Sequence, residues 1–360
     1  MIPISKPMLG DEEIAAVTAV LRSGNLVQGS SVTAFETALQ SYLGVSHTIA
    51  VSSGTAALQL ALEAVGIKEG DEVITTPLSF AATTNAILSR RAMPVFADID
   101  PRTFNLDPKK VEASITDKTR AILAVHLFGH PCDLDALQQI CTRHDLLLIE
   151  DCAQSLGGTY KRKQTGTKGI VSCFSFYPSK NITTGEGGLI ATSEESIADI
   201  CRTLRNQGQR KPYEHHRLGF NFRMTEIAAA IGKVQLSRLP DWLKQRKANA
   251  EQLTKGLQQR TGITVPFVSP ESEHAWHQYT IRVSEDRDKI QERLKGEGVD
   301  ARVYYPRVLY DQPVYKQWMI SGSCPIAERA TKEVLSLPVH PQLCADDLDT
   351  VITAVQRVIV

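Results

Sequence analysis

From about residue 46 the chain alternates between two textures. Short runs rich in β-branched and other apolar residues read as strands: HTIAVSS (47–53), DEVITTP (71–77), MPVFADI (93–99), RAILAVHLF (120–128) and DLLLIED (145–151). Helical stretches separate them: GTAALQLALEAVG (54–66), FAATTNAILSR (80–90), DPKKVEASI (107–115) and DLDALQQICTRH (133–144). Strand and helix taking turns at this spacing make βαβ units, and βαβ units make parallel sheets. The strands are continuously apolar, as strands covered on both faces must be. SCFSFYP (172–178) and GLIAT (188–192) add two more strands, and a helix is predicted over 194–206. The expected class is α/β, with a mostly parallel central sheet flanked by helices.

Beyond this region the pattern changes. Residues 224–260 read as one or two long helices broken near Pro240, because proline lacks the N–H that a helix interior needs. After Gly262, QYTIRV (278–283) and DARVYY (300–305) look like strands, and 287–298, 326–335 and 347–359 look like helices. This predicts a smaller α+β domain over 241–360, following a large domain over 1–240 that starts with a helix at 11–22. A length of 360 residues suits two such domains.

Composition removes several classes of function. Lys and Arg total 40 and Asp and Glu total 40, so no global positive field exists to hold a nucleic acid. No apolar run approaches the ~18 residues of a membrane span, and MIPISKPMLGDEE does not resemble a signal peptide. Seven scattered cysteines without a CxxC pair suit a reducing compartment, so a cytoplasmic protein without disulfides or a zinc site is expected. His126 and His130 are four apart but fall on a strand and the following loop, so no metal is expected there. Cys152 reads as a small buried thiol.

Ligands of open parallel sheets sit at the carboxyl ends of the strands. After the first strand, Ser52-Ser53-Gly54-Thr55-Ala56-Ala57 opens a helix. Its free N–H groups and the helix dipole suit a phosphate, although an ordinary N-cap has the same look. Glu150-Asp151-Cys152-Ala153-Gln154 ends the fifth strand and puts a carboxylate at the mouth of the sheet. Lys180 follows Pro178 on a short polar loop flanked by apolar sequence and ahead of Gly185, Gly187 and Gly188. A desolvated lysine loses its proton and becomes a nucleophile or a base. Each piece alone has a bland reading as a cap, a solvated acid or a surface lysine. Together they match what pyridoxal phosphate requires: N–H donors for its phosphate, a carboxylate for its ring nitrogen and a lysine for its aldehyde.

The chain closely resembles the DegT/DnrJ/StrS family of nucleotide-sugar aminotransferases, which have the aspartate-aminotransferase fold (fold type I). The likeness is carried by SSGTAALQLAL, GDEVITTPLSFAATTNAI, PVFADIDPRTFNLDP, AVHLFGHPCDLDAL, LIEDCAQSLG, FSFYPSKNITTGEGGLI, LGFNFRMTEIAAAIG and YYPRVLYDQPVY. The resemblance implies pyridoxal 5'-phosphate as cofactor, with pyridoxamine phosphate as its alternate form. It implies Lys180 as the Schiff-base lysine and proton shuttle, and Asp151 as the partner of the pyridine nitrogen. Gln154 is expected near the ring hydroxyl and Phe80 on the ring face, with core packing as the alternative for Phe80. Thr55, Ala56 and Ser175 are expected at the phosphate, and Asn221 at the phosphate of the other subunit of a homodimer. Relatives with His in place of Lys180 act as dehydratases, so the lysine favours transamination.

The implied donor is L-glutamate, and the implied acceptor is a nucleotide-linked keto sugar, leading to an amino sugar. The SSGTAAL and NFRMTE forms resemble members acting at C4 of a 4-keto-6-deoxy sugar. A C3-keto sugar, a cyclitol and a regulatory sugar-binding role without turnover are the alternatives. Arg223 and Tyr305 are the substrate-side candidates; Tyr304 stands where relatives often have His. Two basic stretches, 160–168 and 202–223, break the overall neutrality, and the second is expected to receive an anionic nucleotide diphosphate.

Overall fold

The computed structural model describes residues 1–318 and 322–359. Its centre is a seven-stranded sheet. Strands β1 (His47–Val51), β2 (Glu72–Thr75), β3 (Met93–Phe96), β4 (Thr119–Val125) and β5 (Leu147–Asp151) are joined by Val171–Ser175 and Gly188–Thr192. The order is β1, Gly188–Thr192, Val171–Ser175, β5, β4, β2, β3. Gly188–Thr192 runs antiparallel to both its neighbours, and the remaining pairs are parallel. The α/β class with a mostly parallel sheet is therefore what the alternating pattern builds.

Helices α1 (Asp11–Ser23), α2 (Ser30–Leu43), α3 (Gly54–Ala64), α4 (Ala81–Ser89), α5 (Pro108–Ala113), α6 (Leu134–His144) and α7 (Glu195–Arg205) surround this sheet. Helix α2 has no counterpart in the sequence reading. Its apolar stripe of Val32, Phe35, Leu39 and Leu43 is buried, and its first turn is capped from far along the chain by Glu226. One apolar cluster on α3 and the strands includes Leu60, Leu62, Val73, Leu123 and Ile149. Another, with Phe35, Phe174, Phe176 and Trp242, covers the opposite face.

Helix α8 (Glu226–Leu257) corrects the expected break, because it runs unbroken through Pro240. A proline inside a helix costs roughly 3 kcal/mol. Here burial of Leu236, Leu239 and Trp242 around the proline offsets that cost. A division of the chain at 240/241 falls inside this helix; Ala229, Leu236 and Leu239 pack in one cluster and Ala250, Leu253 and Leu257 in another.

That second cluster belongs to an antiparallel sheet of Ile263–Thr264, Tyr279–Val283 and Val334–Leu337, with helices α9 (Arg287–Gly296) and α11 (Ala345–Val358); between these, α10 (Pro325–Glu333) packs through Ala327 and Ala330 in a cluster with Leu78, Ile99 and Phe128. Two expectations shift here. Residues 300–305 form no strand; only Arg302 pairs, with Ser336. The helix expected over 326–335 stops at Glu333, and the buried Val334–Leu337 turns into a strand, where tertiary pairing overrides local helical pattern. The N-terminal residues reach across the molecule, and Ile2 pairs with Val299.

Candidate active site

The candidate groups of the large domain, the 221–223 segment apart, lie at or just beyond strand ends on one edge of the large sheet, and Tyr305 reaches them from the smaller region. After β1, Ser53 caps α3, its hydroxyl accepting the Ala56 N–H at 3.1 Å. That bond refines the expectation for Ala56, whose N–H is taken by the cap. Gly54 and Thr55 keep N–H groups with no hydrogen-bond partner among the described residues. Ser175 ends its strand directly against this turn. A Cβ on Gly54 would lie 2.8 Å from Ser175 Cβ and 3.2 Å from its Oγ, so only glycine permits the approach. Free N–H groups, a hydroxyl and a helix N-terminus converge, and a phosphate fits that donor set.

Side chains alternate along β5, so Glu150 and Asp151 face opposite sides of the sheet. Asp151 is buried. The Thr83 hydroxyl donates to its Oδ2 at 3.1 Å, and the Ala153 N–H donates to its Oδ1 at 3.1 Å. Burial pushes its carboxyl above the usual range, opposed by the Ala153 N–H, the Lys180 charge and Thr83. Lys180 shows the complementary shift. Burial lowers its ammonium from 10.5 to about 8, and the negative charge of Asp151 pulls it part of the way back. Both groups are thus displaced toward their neutral forms, as expected for an acid and a base sharing a desolvated site.

Gln154 is locked from both ends. Its Oε1 accepts the Phe128 N–H at 2.6 Å, which leaves its Nε2 as the donor to Tyr305 Oη at 3.1 Å. Burial pushes the Tyr305 phenol well above its ordinary value, so it stays protonated. Phe80 precedes α4 and packs beside Tyr305, with ring centroids 6.3 Å apart. It is 62 % exposed, which removes the core-packing reading. An exposed aromatic beside Gln154 and Tyr305 offers a flat apolar face for a ring.

The segment carrying Asn221 runs along the end of β1. Ser52 N donates to Phe222 O at 2.8 Å, Arg223 pairs with Val51, and Asn221 is exposed and pairs with Asn206. The Arg223 guanidinium donates to Asn206 Oδ1 at 2.5 Å. The two basic stretches diverge in character. Lys161 and Lys168 both pair with Asp135, and Lys161 also with Glu271, so that stretch is an ordinary surface network. In the other stretch Arg202 and Arg205 have carboxylate partners, whereas Arg210, Lys211 and Arg217 have none among the described residues.

Sequence reasoning missed three supports. Thr83 was an unremarked helix residue, the closeness of Gly54 and Ser175 needs the folded sheet, and Glu150 was overshadowed by its neighbour. Glu150 is fully buried and accepts from His126 Nε2 (2.9 Å), Gly166 N (2.8 Å), Lys168 N (2.9 Å) and Gly169 N (2.6 Å). Burial opposes its charge, yet these donors hold it below the usual carboxylate range. A charged residue inside the apolar run LLLIED was the available signal. His126, Glu150 and Cys152 lie close enough to share an ion. However, His126 Nδ1 already accepts the Cys132 N–H at 3.0 Å, and burial holds the Cys152 thiol up at about 12.

A family model described as the DegT/DnrJ/EryC1/StrS aminotransferase family matches residues 7–356. The chain belongs to this family. It is a sugar aminotransferase by family. GDP-perosamine synthase of Caulobacter vibrioides is 41% identical, covering 92% of this chain and 91% of the relative. The dTDP-3-amino-3,4,6-trideoxy-alpha-D-glucose transaminase of Streptomyces venezuelae is 38% identical, covering 96% and 92%. Among solved structures, DesV of S. venezuelae superposes with a TM-score of 0.93 at 38% identity over 96% of this chain and 94% of its own. No helix among the described residues is long and apolar enough to cross a membrane.

Proposed function

We propose that this aminotransferase uses pyridoxal phosphate to move the amino group of L-glutamate to C4 of a nucleotide-linked 4-keto-6-deoxy sugar. The observation that carries the cofactor reading is that Lys180, brought down to about 8, feels the charge of the buried Asp151 at the mouth of the sheet. When bound, the cofactor supplies an aldehyde to carry the amino group and a ring to take up electrons. Gly54 and Thr55 N–H groups with the Thr55 and Ser175 hydroxyls would hold its phosphate. Asp151 would keep a proton on its ring nitrogen, Gln154 would stand at its hydroxyl edge and Phe80 would cover one face. Neutral Lys180 takes the α-proton of glutamate and delivers a proton to the acceptor carbon in the return half.

Family membership and the names of the relatives support the nucleotide-sugar class; one of those names specifies a 3-amino product. The choice of C4 rests on the SSGTAAL and NFRMTE motifs. Exposed Phe80 and Tyr177 (51 %), together with exposed Asn221 on the segment beside β1, support a homodimer whose second subunit completes each site. Arg223 and Tyr305 are the proposed sugar-side contacts. The test is a panel of nucleotide-linked and free keto sugars with glutamate, read by product mass and by NMR of the aminated carbon. Amination at C4 of a nucleotide-linked sugar is expected. Amination at C3, or equal turnover of the free sugar, overturns the substrate assignment.

A further inference from the structure

Behind the Lys180 loop lies a second feature, which shares only Lys180 with the catalytic arrangement. It is a cavity of about 20 Å³ between the N-terminal segment, the Lys180 loop and α8. Three cations line it, Lys6, Lys180 and Arg246, and no Asp or Glu does. Arg246 is only 5% exposed. Its Nη1 donates to Trp276 O at 2.9 Å and reaches His277 O at 3.5 Å, both neutral acceptors. Its Nε is buried without a partner, and Nη2 has no hydrogen bond among the described residues.

We infer that this cavity is a binding site for one small monovalent inorganic anion of halide size, held chiefly by Arg246. Buried charges are ordinarily paired or neutralised, and Arg246 has no carboxylate within ion-pair distance among the described residues. Burial lowers its guanidinium only to about 10, so it remains charged at neutral pH. The surrounding groups do not supply the missing charge. Glu13 touches the lining residue Gln235 at 2.7 Å but is already paired with Arg238 at 3.1 Å. Asp151 acts on Lys180 from the catalytic side, and Asp347 stands nearer Lys6 and His340. His277 lies beside both Lys180 and Arg246 and is kept neutral by burial and by those charges. A cavity of about 20 Å³ suits a single small ion rather than a larger oxyanion. Exposed Lys6 marks the entrance. An anion there offsets Arg246 and favours the charged form of Lys180, which links halide concentration to the catalytic lysine.

The test uses the full chain with and without cofactor. Crystals soaked in bromide are expected to show one anomalous peak within hydrogen-bond distance of the Arg246 guanidinium. Bromide and chloride are expected to raise the melting temperature saturably at constant ionic strength, and Arg246→Met is expected to abolish the saturable part. Should Arg246→Met not fold, Lys6→Met is expected to weaken the halide affinity about fivefold while keeping the peak. A water in place of bromide, or a halide effect that is linear and identical in wild type and variant, overturns the assignment. None of these readouts depends on the sugar or on transamination.

Discussion

The Thr83 hydroxyl donates to Oδ2 of Asp151 at 3.1 Å, and behind it Ser79 Oγ lies 2.9 Å from Thr83 Oγ1. Helix α4 therefore fixes the carboxylate that ends β5. Thr83→Val keeps the shape and removes the donor. A hydrogen bond to a charged group is worth about 1.5–3 kcal/mol, so kcat is expected to fall roughly tenfold or more, and Thr83→Ser should recover most of it. Steady-state kinetics and cofactor titration check this; unchanged kinetics in Thr83→Val count against the role.

Lys180 must be neutral to react, and its proton is lost near pH 8 rather than 10.5. Below that point the neutral fraction falls about tenfold per pH unit. The rate of cofactor capture by the apoprotein, followed by visible absorbance, is expected to rise about tenfold per unit up to about pH 8 and then level. A rise continuing to 10.5 would show an unperturbed lysine. Lys180→Ala is expected to show no such absorbance and no transamination.

At Gly54 the prediction is steric. An alanine Cβ meets Ser175 Cβ at 2.8 Å, and overpacking of this kind costs about 1–3 kcal/mol. Gly54→Ala should therefore weaken cofactor binding about tenfold or more while leaving the far-UV circular dichroism unchanged. Equilibrium titration of the apoprotein decides it.

Arg223 is tied to Asn206 and to the end of β1, in the same basic stretch as three side chains without carboxylate partners among the described residues. Arg223→Ala is expected to raise KM for the keto sugar about tenfold, with less than a twofold change in cofactor affinity, as loss of one charge-assisted contact implies. The reverse ordering would place Arg223 at the cofactor instead.

Glu150 supports the fold beneath the site. Glu150→Gln turns an acceptor of four hydrogen bonds into a group whose NH₂ faces other donors, so a loss of about 3–5 kcal/mol is expected in denaturant unfolding. The folded carboxyl titrates below its ordinary 4.5. Its contribution is therefore complete above about 4.5 and is lost as pH falls through the lower folded value. The variant should show a flatter acid limb than the wild type.

Much of this architecture is legible in the sequence alone. Runs such as RAILAVHLF and GTAALQLALEAVG differ in texture because parallel strands and amphipathic helices bury different surfaces. The positions of Asp151 and Lys180 beside strand ends followed from the same pattern. Less was readable where tertiary packing outweighs local preference. Pro240 sits inside an intact helix because the residues around it are buried, and Val334–Leu337 pairs as a strand despite its helical neighbours.

By itself, then, the amino-acid order determined the alternating α/β plan and the kinds of group that stand at the strand ends. Those are consequences of periodicity and of chain geometry within a few residues. Only the tertiary structure decided what those groups experience. Thr83 lies 68 positions from Asp151, Tyr305 lies 151 from Gln154, and Gly54 meets Ser175 from a different strand. The lowered proton affinities of Lys180 and Arg246 arise from desolvation. Desolvation depends on everything packed around a group, and a linear sequence does not state what that will be.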